Sequence, residues 1–166
     1  MIRVLSFAAA LSLAACAQAE PQGTEAPAAA EAASPAEAKA WMANNAKQPG
    51  VVTLPGGVQY KELQSGPKTG PTPKPQDDIK VHYEGTLTDG TVFDSSYQQG
   101  SPLVARLDRL VPGWIEALQL MRPGDTWMIY LPPEKGYGGE GAGPIPPYSV
   151  LVFKIEMLGV LPRGAG

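Results

Sequence analysis

The chain has 166 residues, a formal net charge of −3 at pH 7 and only 17% charged residues. This length suits one domain of ordinary size with a hydrophobic core, and some additional sequence. No run of Lys or Arg is present to bind phosphate, which excludes nucleic acid as an expected partner, and a single His and a single Cys argue against a protein metal site.

The N-terminus is typical of an export signal. Arg3 supplies a short positive region, and residues 4–15 are apolar or small except for two serines, too short a stretch to span a bilayer. The motif LAAC that ends at Cys16 resembles the bacterial lipobox, so we expect residues 1–15 to be a lipoprotein signal peptide and Cys16 to be lipidated. The alternative is an ordinary secretory peptide cut at an Ala-x-Ala site, with Cys16 discarded.

Acyl chains on Cys16 would anchor the protein stably, because each buried methylene contributes about 0.8 kcal/mol. Ala17 is not the aspartate associated with inner-membrane retention, so the same resemblance implies the outer membrane, facing the periplasm.

Residues 16–33 consist mostly of Ala, Glu, Pro, Gln, Gly and Thr. Such a composition buries too little surface to offset its ordering entropy and predicts a flexible tether.

A short helix should follow the tether. Ser34 is a candidate N-cap, a proline occupies the first helical position, and Glu37 can complete a capping box. The helix is expected to run to about Ala46, before Pro49 and Gly50. We therefore assign residues 34–49 to a helix and linker, with the helix a solvated stub, and residues 50–162 to a folded domain.

Short strands and turns are predicted within this domain. Asp89-Gly90 is a strong hairpin signal after the first strand, with Val92 and Phe93 on the returning strand. Apolar residues at helical spacing predict one short helix from Trp114 to Met121. The alternating apolar residues of the strands are Ile79, Val81, Tyr83, Gly85 and Leu87; Trp127, Ile129 and Leu131; and Leu151, Phe153, Ile155 and Met157.

Several blocks in this region occur together in a family-specific order. They are VHYEGTL (81–87), DGTVFDSS (89–96), VPGW (111–114), YG (137–138), IPP (145–147) and LVF (151–153). In order and spacing they resemble the FKBP family of peptidyl-prolyl cis-trans isomerases, and the segment leading into the domain is similar to that of the macrophage infectivity potentiator type. The resemblance implies an α+β fold in which a five-stranded antiparallel curled sheet, a half-barrel, wraps around one short helix.

The resemblance also implies a substrate pocket. Rotation about a prolyl amide breaks no covalent bond, so the expected site is an apolar, water-poor hollow and not a set of nucleophiles, and no cofactor is expected. Without the resemblance, the aromatic residues would be read as ordinary core. The implied substrate-binding residues are Tyr83, Phe93, Leu103, Leu110, Val111, Trp114, Ile145 and Phe153.

Two polar residues are the implied catalytic ones. Asp94 follows Phe93 at a strand end, where a carboxylate beside aromatic rings needs a partner; it would contact the twisted carbonyl or orient nearby tyrosines. Tyr137, in a glycine-rich loop, would donate its hydroxyl to a substrate carbonyl. The alternatives are a turn-capping Asp94 and an exposed loop tyrosine at position 137. His82 alternates to the opposite face from Tyr83 and is interpreted as structural.

One departure from the family pattern concerns the pocket wall. Leu103 and Ala105 stand where many relatives have aromatic residues, which leaves catalytic efficiency and affinity for tacrolimus-like macrolide inhibitors open.

The expected function is an isomerase acting on proline-containing polypeptide clients in the cell envelope, as a monomer. The alternative is a module that holds clients in the same groove but turns over poorly.

Overall fold

A computed structural model describes residues 33–163. Within that range, no helix has both the length and the apolar character that crossing a bilayer requires. The expected signal peptide, Cys16 and all of the tether except Ala33 lie outside the described residues. The described part of the chain contains two α-helices, α1 (Pro35–Asn45) and α2 (Pro112–Leu118). The strands are β1 (Val51–Thr53), β2 (Gln59–Gln64), β3 (Asp78–Thr86), β4 (Val92–Ser95), β5 (Leu103–Arg106), β6 (Thr126–Leu131) and β7 (Leu151–Leu161).

The strands form one antiparallel sheet in the order β1-β2-β6-β7-β3-β4, and β5 also pairs with β3. The long strand β3 pairs with β7 on one side; on the other it pairs with β5 along residues 78–81 and with β4 along residues 84–86. The curled α+β sheet is confirmed, but across residues 33–163 it has seven strands instead of the expected five. Strands β1 and β5 have only three and four residues, too few for a period-two pattern to be read from the sequence.

The core lies between the sheet and α2. Buried, inward-facing residues of β3, β6 and β7 alternate with half-buried or exposed ones, and the apolar face of α2 covers the buried set. Trp114, Ala117 and Leu118 are the buried apolar side chains of this helix. The helix begins at Pro112 and ends at Leu118, three residues before the predicted end at Met121. Tighter i→i+3 turns follow, in which the N–H of Leu120 donates to the carbonyl of Ala117 and the N–H of Met121 to that of Leu118, each over 3.0 Å.

The predicted hairpin joins β3 to β4. The N–H of Leu87 donates to the carbonyl of Thr91 over 2.9 Å, and the N–H of Gly90 donates to Leu87 over 3.0 Å. Gly90 has φ of 89°, a conformation that favours glycine. The turn pairs Thr86 with Val92, and a one-residue register shift beyond that pair places Asp94 opposite Gly85.

Helix α1 has the predicted capping box. The Glu37 N–H donates to Ser34 Oγ over 3.2 Å, and the Ser34 N–H donates to Glu37 Oε2 over 2.7 Å. The expectation that this helix is a solvated stub was wrong. Ala38 and Met42 are only 3% and 7% exposed, because α1 packs against Val150 and the outward-facing side of β6.

Polar contacts fix the C-terminal end of α1. Gln59 Nε2 on β2 donates to the Met42 carbonyl over 2.9 Å, and Asn45 Nδ2 donates to Gln59 Oε1 over 2.9 Å. The rings of Trp41 and Tyr130 lie 5.9 Å apart. Since Tyr130 alternates with the core residues Ile129 and Leu131, α1 covers the opposite face of the sheet from α2.

Candidate active site

An apolar pocket of about 370 Å³ opens between the start of α2, strands β3 to β5 and the loop that carries Tyr137. All of the predicted catalytic and substrate-binding residues except Ile145 line it, and Arg109 is an additional lining residue. The lining consists of Tyr83, Phe93, Asp94, Leu103, Arg109, Leu110, Val111, Trp114, Tyr137 and Phe153. Residues far apart in the sequence therefore converge on one cavity.

Trp114 lies at the centre of the aromatic part of the pocket. Its ring meets Tyr83 at 5.3 Å and 79°, and Phe153 at 5.2 Å and 86°. Phe93 meets Phe153 at 5.6 Å and 89°. Edge-to-face pairs of this kind are worth about 0.5 to 1.5 kcal/mol beyond the area they bury. Trp114 is 4% exposed, so the rings form a rigid apolar floor.

Gly85 allows two of these rings to approach the sheet. A Cβ atom at this position would lie 2.6 Å from Phe93 Cζ and 2.8 Å from Phe153 Cε1. Such distances are far below van der Waals contact. The missing side chain of Gly85 is thus a requirement of the pocket geometry.

Asp94 is held at the pocket edge by two neutral donors. The Tyr83 hydroxyl donates to Asp94 Oδ2 over 2.6 Å, and Gln99 Nε2 donates to Asp94 Oδ1 over 2.8 Å. Burial, and secondly the hydrogen bond to Asp94, raise the pKa of Tyr83 to about 12. The phenol therefore stays protonated, and remains a donor, throughout the physiological pH range.

Ser96 fixes the backbone beneath this pair. The Tyr83 N–H donates to the buried Ser96 Oγ over 2.8 Å, and this hydroxyl lies 3.2 Å from the Tyr83 carbonyl. On the other face of β3, His82 Nδ1 lies 2.9 Å from the same oxygen, and its ring stacks on Tyr97 at 4.6 Å. His82 thus faces away from the pocket, while Ser96 holds the strand that carries Tyr83.

Val111 precedes α2 and presents an available backbone donor. It is the N-cap residue, with extended geometry at φ −60° and ψ 145°. Among the described residues, the Val111 N–H has no acceptor, whereas its carbonyl accepts from Trp114 and Ile115. An unpaired donor beside an apolar cavity can bind the carbonyl of an enclosed peptide.

Tyr137 lies in a loop whose shape is fixed by backbone hydrogen bonds within the loop. The Gly138 N–H donates to Pro133 over 2.8 Å, and the Tyr148 N–H donates to Gly138 over 2.9 Å. Tyr137 is 42% exposed at the pocket mouth. Ile145, expected in the wall, lies outside the lining: it is buried in the core, and its reciprocal backbone bonds with Ala142 close the loop.

Sequence reasoning missed Gln99, Ser96 and Arg109. Gln99 lies in a turn and Arg109 ends a single-turn 3-10 helix (Leu107–Arg109), and both segments are too short for a periodicity that marks the direction of a side chain. The DGTVFDSS block did include Ser96, but nothing in it indicated a contact with Tyr83. The signal for Arg109 was its position two residues before Val111.

The fold and the cavity together define an α+β domain with an aromatic pocket. A profile described as FKBP-type peptidyl-prolyl cis-trans isomerase matches residues 70–158, and one described as the domain amino-terminal to such isomerases matches residues 7–61. The chain belongs to the FKBP-type peptidyl-prolyl cis-trans isomerase family.

Named relatives agree with this assignment. The chain is 46% identical over 125 residues to the peptidyl-prolyl cis-trans isomerase Mip of Coxiella burnetii, covering 75% of this chain and 54% of that protein. It is 44% identical over 126 residues to the outer membrane protein MIP of Legionella longbeachae, covering 75% and 53%. The chain thus spans about half the length of these curated relatives.

Solved structures share the fold. FkpA from Escherichia coli superposes with a TM-score of 0.73 at 42% identity, covering 78% of this chain and 60% of that one. A peptidyl-prolyl cis-trans isomerase from Pseudomonas syringae pv. tomato superposes with a TM-score of 0.70 at 40% identity, covering 75% and 91%.

Proposed function

We propose that this protein is a peptidyl-prolyl cis-trans isomerase that acts on proline-containing polypeptides without a cofactor. The observation that carries the proposal is the pocket floored by Trp114 and edged by the bonded pair Tyr83 and Asp94. An apolar hollow of about 370 Å³ suits a pyrrolidine ring and its adjoining peptide groups.

The aromatic floor would lower the rotational barrier by excluding water. Rotation of a peptide bond crosses a barrier of about 18 to 20 kcal/mol, because the planar amide is stabilised by resonance. The planar, charge-separated form gains most from water, and the twisted form gains less. A dry pocket that accepts the prolyl group therefore favours the transition state over the ground state.

Polar groups at the rim would hold the rotating segment. The Val111 N–H would bind a substrate carbonyl and fix one side of the prolyl bond. The Tyr137 hydroxyl would donate to a carbonyl on the other side, and the carboxylate of Asp94, held by Tyr83, would interact with the twisted amide. These roles rest on the position of each group around the cavity.

A refolding assay tests the activity. The full chain, added in catalytic amount to a protein whose refolding is limited by proline isomerisation, should accelerate the slow phase of tens to hundreds of seconds. An unchanged slow phase would refute isomerase activity. If unfolded clients nevertheless stay soluble, the second candidate, a client-holding module, would replace it; the aliphatic Leu103 in the pocket wall favours that alternative.

The cell envelope is the proposed location, with Cys16 as a lipid anchor and the outer membrane, facing the periplasm, as its site. The LAAC motif supports this, as does the relative from Legionella longbeachae named as an outer membrane protein. On this proposal, residues 1–15 are removed, residues 16–33 are a tether, residues 34–49 form the helix and linker, and residues 50–162 form the isomerase domain. Mass analysis of the mature N-terminus should find a diacyl or triacyl cysteine; an unmodified N-terminus beyond Cys16 would contradict the anchor.

A monomer is the proposed oligomeric state, because the apolar face of α1 is already covered by its own sheet. Light scattering on the purified protein would test the oligomeric state.

Tacrolimus-like macrolides are proposed to compete with substrate for the pocket, with affinity limited by the aliphatic Leu103.

A further inference from the structure

Arg109 lies where the prolyl pocket meets a second groove. It lines the pocket beside Leu110, and it also lines a neighbouring groove of about 410 Å³ next to strand β5. Val104 and Ala105 form part of the wall of that groove. A polypeptide that leaves the pocket past Arg109 would therefore enter the groove directly.

This groove carries an excess of positive charge in a chain whose net charge is −3. Arg106, Arg109 and Arg163 line it together with Asp78. Arg163 Nε pairs with Asp78 Oδ2 over 2.8 Å, and Arg106 pairs with Asp108. Within residues 33–163, Arg109 has neither an ion pair nor a side-chain hydrogen bond, so its guanidinium is available at the boundary.

A further observation favours an anionic ligand. The Nε–H of Arg106 is buried without an acceptor among the described residues. The carboxylate at the pocket edge, Asp94, accepts hydrogen bonds from Tyr83 and Gln99 and forms no ion pair with Arg109. Guanidinium groups bind carboxylates with paired, charge-assisted hydrogen bonds.

We propose that Arg109, supported by Arg106, selects clients that carry Asp or Glu next to the bound proline. The residue before a proline is extended, and an extended chain advances about 3.3 Å per residue. A flanking side chain can therefore reach Arg109 while the ring occupies the pocket. This inference rests on the proposed function and specifies its substrate class.

Peptide binding tests the inference independently of turnover. Fluorescent proline tetrapeptides carrying Glu or Gln immediately before the proline, and a second pair varying the residue after it, are titrated with the full chain. In at least one pair the Glu peptide should bind about two- to fivefold more tightly than the matched Gln peptide at low salt, as expected for a partly exposed ion pair. The preference should shrink at about 0.5 M salt, where charges are screened over a few ångströms.

The variant Arg109→Gln should lose the Glu preference, whereas Lys154→Gln should keep it, because Lys154 is an exposed cation of β7 that lines neither concavity. Equal affinities in both pairs, or a preference that persists in Arg109→Gln, would overturn the inference. A failure of the proposed isomerase function would give a different result. Every peptide would then isomerise at the rate seen in buffer, while the ratio of Glu-peptide to Gln-peptide affinity could still be measured. Absence of binding by all four peptides would overturn both.

Discussion

The hydroxyl of Tyr83 and the carboxylate of Asp94 form a hydrogen bond of 2.6 Å at the edge of the aromatic pocket. The bond joins strands β3 and β4, which the Asp89-Gly90 hairpin brings into register. It keeps the carboxylate directed along the pocket rim instead of into solvent.

Removing this carboxylate should slow turnover while the fold survives. We expect Asp94→Ala to reduce kcat/KM about ten- to a hundredfold, because hydrogen bonds to charged groups are worth about 1.5 to 3 kcal/mol. Peptide isomerisation kinetics measure the loss, and circular dichroism checks the fold. Wild-type turnover in Asp94→Ala would leave the residue a turn cap without a catalytic role.

Gln99 should act as a positioning residue for Asp94. Replacing it with Ala removes one neutral donor, so kcat should fall about two- to tenfold with little change in KM. Gln98→Ala is the matched control, since the structure gives the Gln98 side chain no hydrogen bond among the described residues. Equal kcat values for the two variants would contradict the assignment.

The titration of Tyr83 should be visible in alkaline solution. Its pKa is raised to about 12 in the folded state from an ordinary value of 10.0, mainly by burial. The folded state therefore retains a proton that the unfolded state releases. The resulting stabilisation is complete below about pH 10 and is lost as pH rises towards 12.

Absorbance titration near 295 nm of wild type and Tyr83→Phe isolates this group by difference, which is necessary because the pKa values of Tyr97 and Tyr130 are also raised. The difference curve should have its midpoint close to 12. A midpoint at the ordinary tyrosine value would show that the phenol is neither buried nor bonded to Asp94.

Gly85→Ala should damage the pocket. The added Cβ would meet the rings of Phe93 and Phe153 at 2.6 and 2.8 Å, so one ring must move. Overpacking of this kind costs about 1 to 3 kcal/mol, and substrate affinity should fall with it. Gly159→Ala in strand β7 is a control, because its nearest new contact is an ordinary 4.0 Å. Similar unfolding free energies for the two variants would show that the rings tolerate the methyl group.

The docked position of α1 predicts a stability cost for Met42→Ala. Loss of a buried Met side chain typically costs about 2 to 5 kcal/mol, and the lower end is expected for this small cluster beside Val150. Lys39→Ala, on the exposed part of the same helix, should change the unfolding free energy little. If urea denaturation shows that Met42→Ala leaves the unfolding free energy unchanged, α1 is not packed against the sheet and is the solvated helix expected from the sequence.

The sequence predicted the central strands because Ile79 to Leu87 and Leu151 to Met157 alternate over enough residues to identify a buried face. The docking of α1 was missed, although Ala38, Trp41 and Met42 have helical i, i+3, i+4 spacing and form a narrow apolar stripe. The stripe is only about one helical turn long, and its partners Val150 and Tyr130 are more than eighty residues away in the sequence.

The polar part of the site was predicted only in part for a similar reason. Asp94 and Tyr137 lie in recognisable blocks, so their positions could be carried over. Gln99 reaches Asp94 only because the chain turns between β4 and β5, and no local pattern in the sequence specifies that turn.

NMR exchange spectroscopy on a proline tetrapeptide would detect isomerase activity itself, because it observes both isomers at equilibrium. Uncatalysed exchange takes tens to hundreds of seconds, so cross-peaks between the cis and trans signals are absent at mixing times of about one second. With a catalytic amount of the full chain these cross-peaks should appear, and with Asp94→Ala they should be much weaker. Cross-peaks that remain absent with the wild-type protein, under conditions where the peptide binds, would contradict isomerase activity.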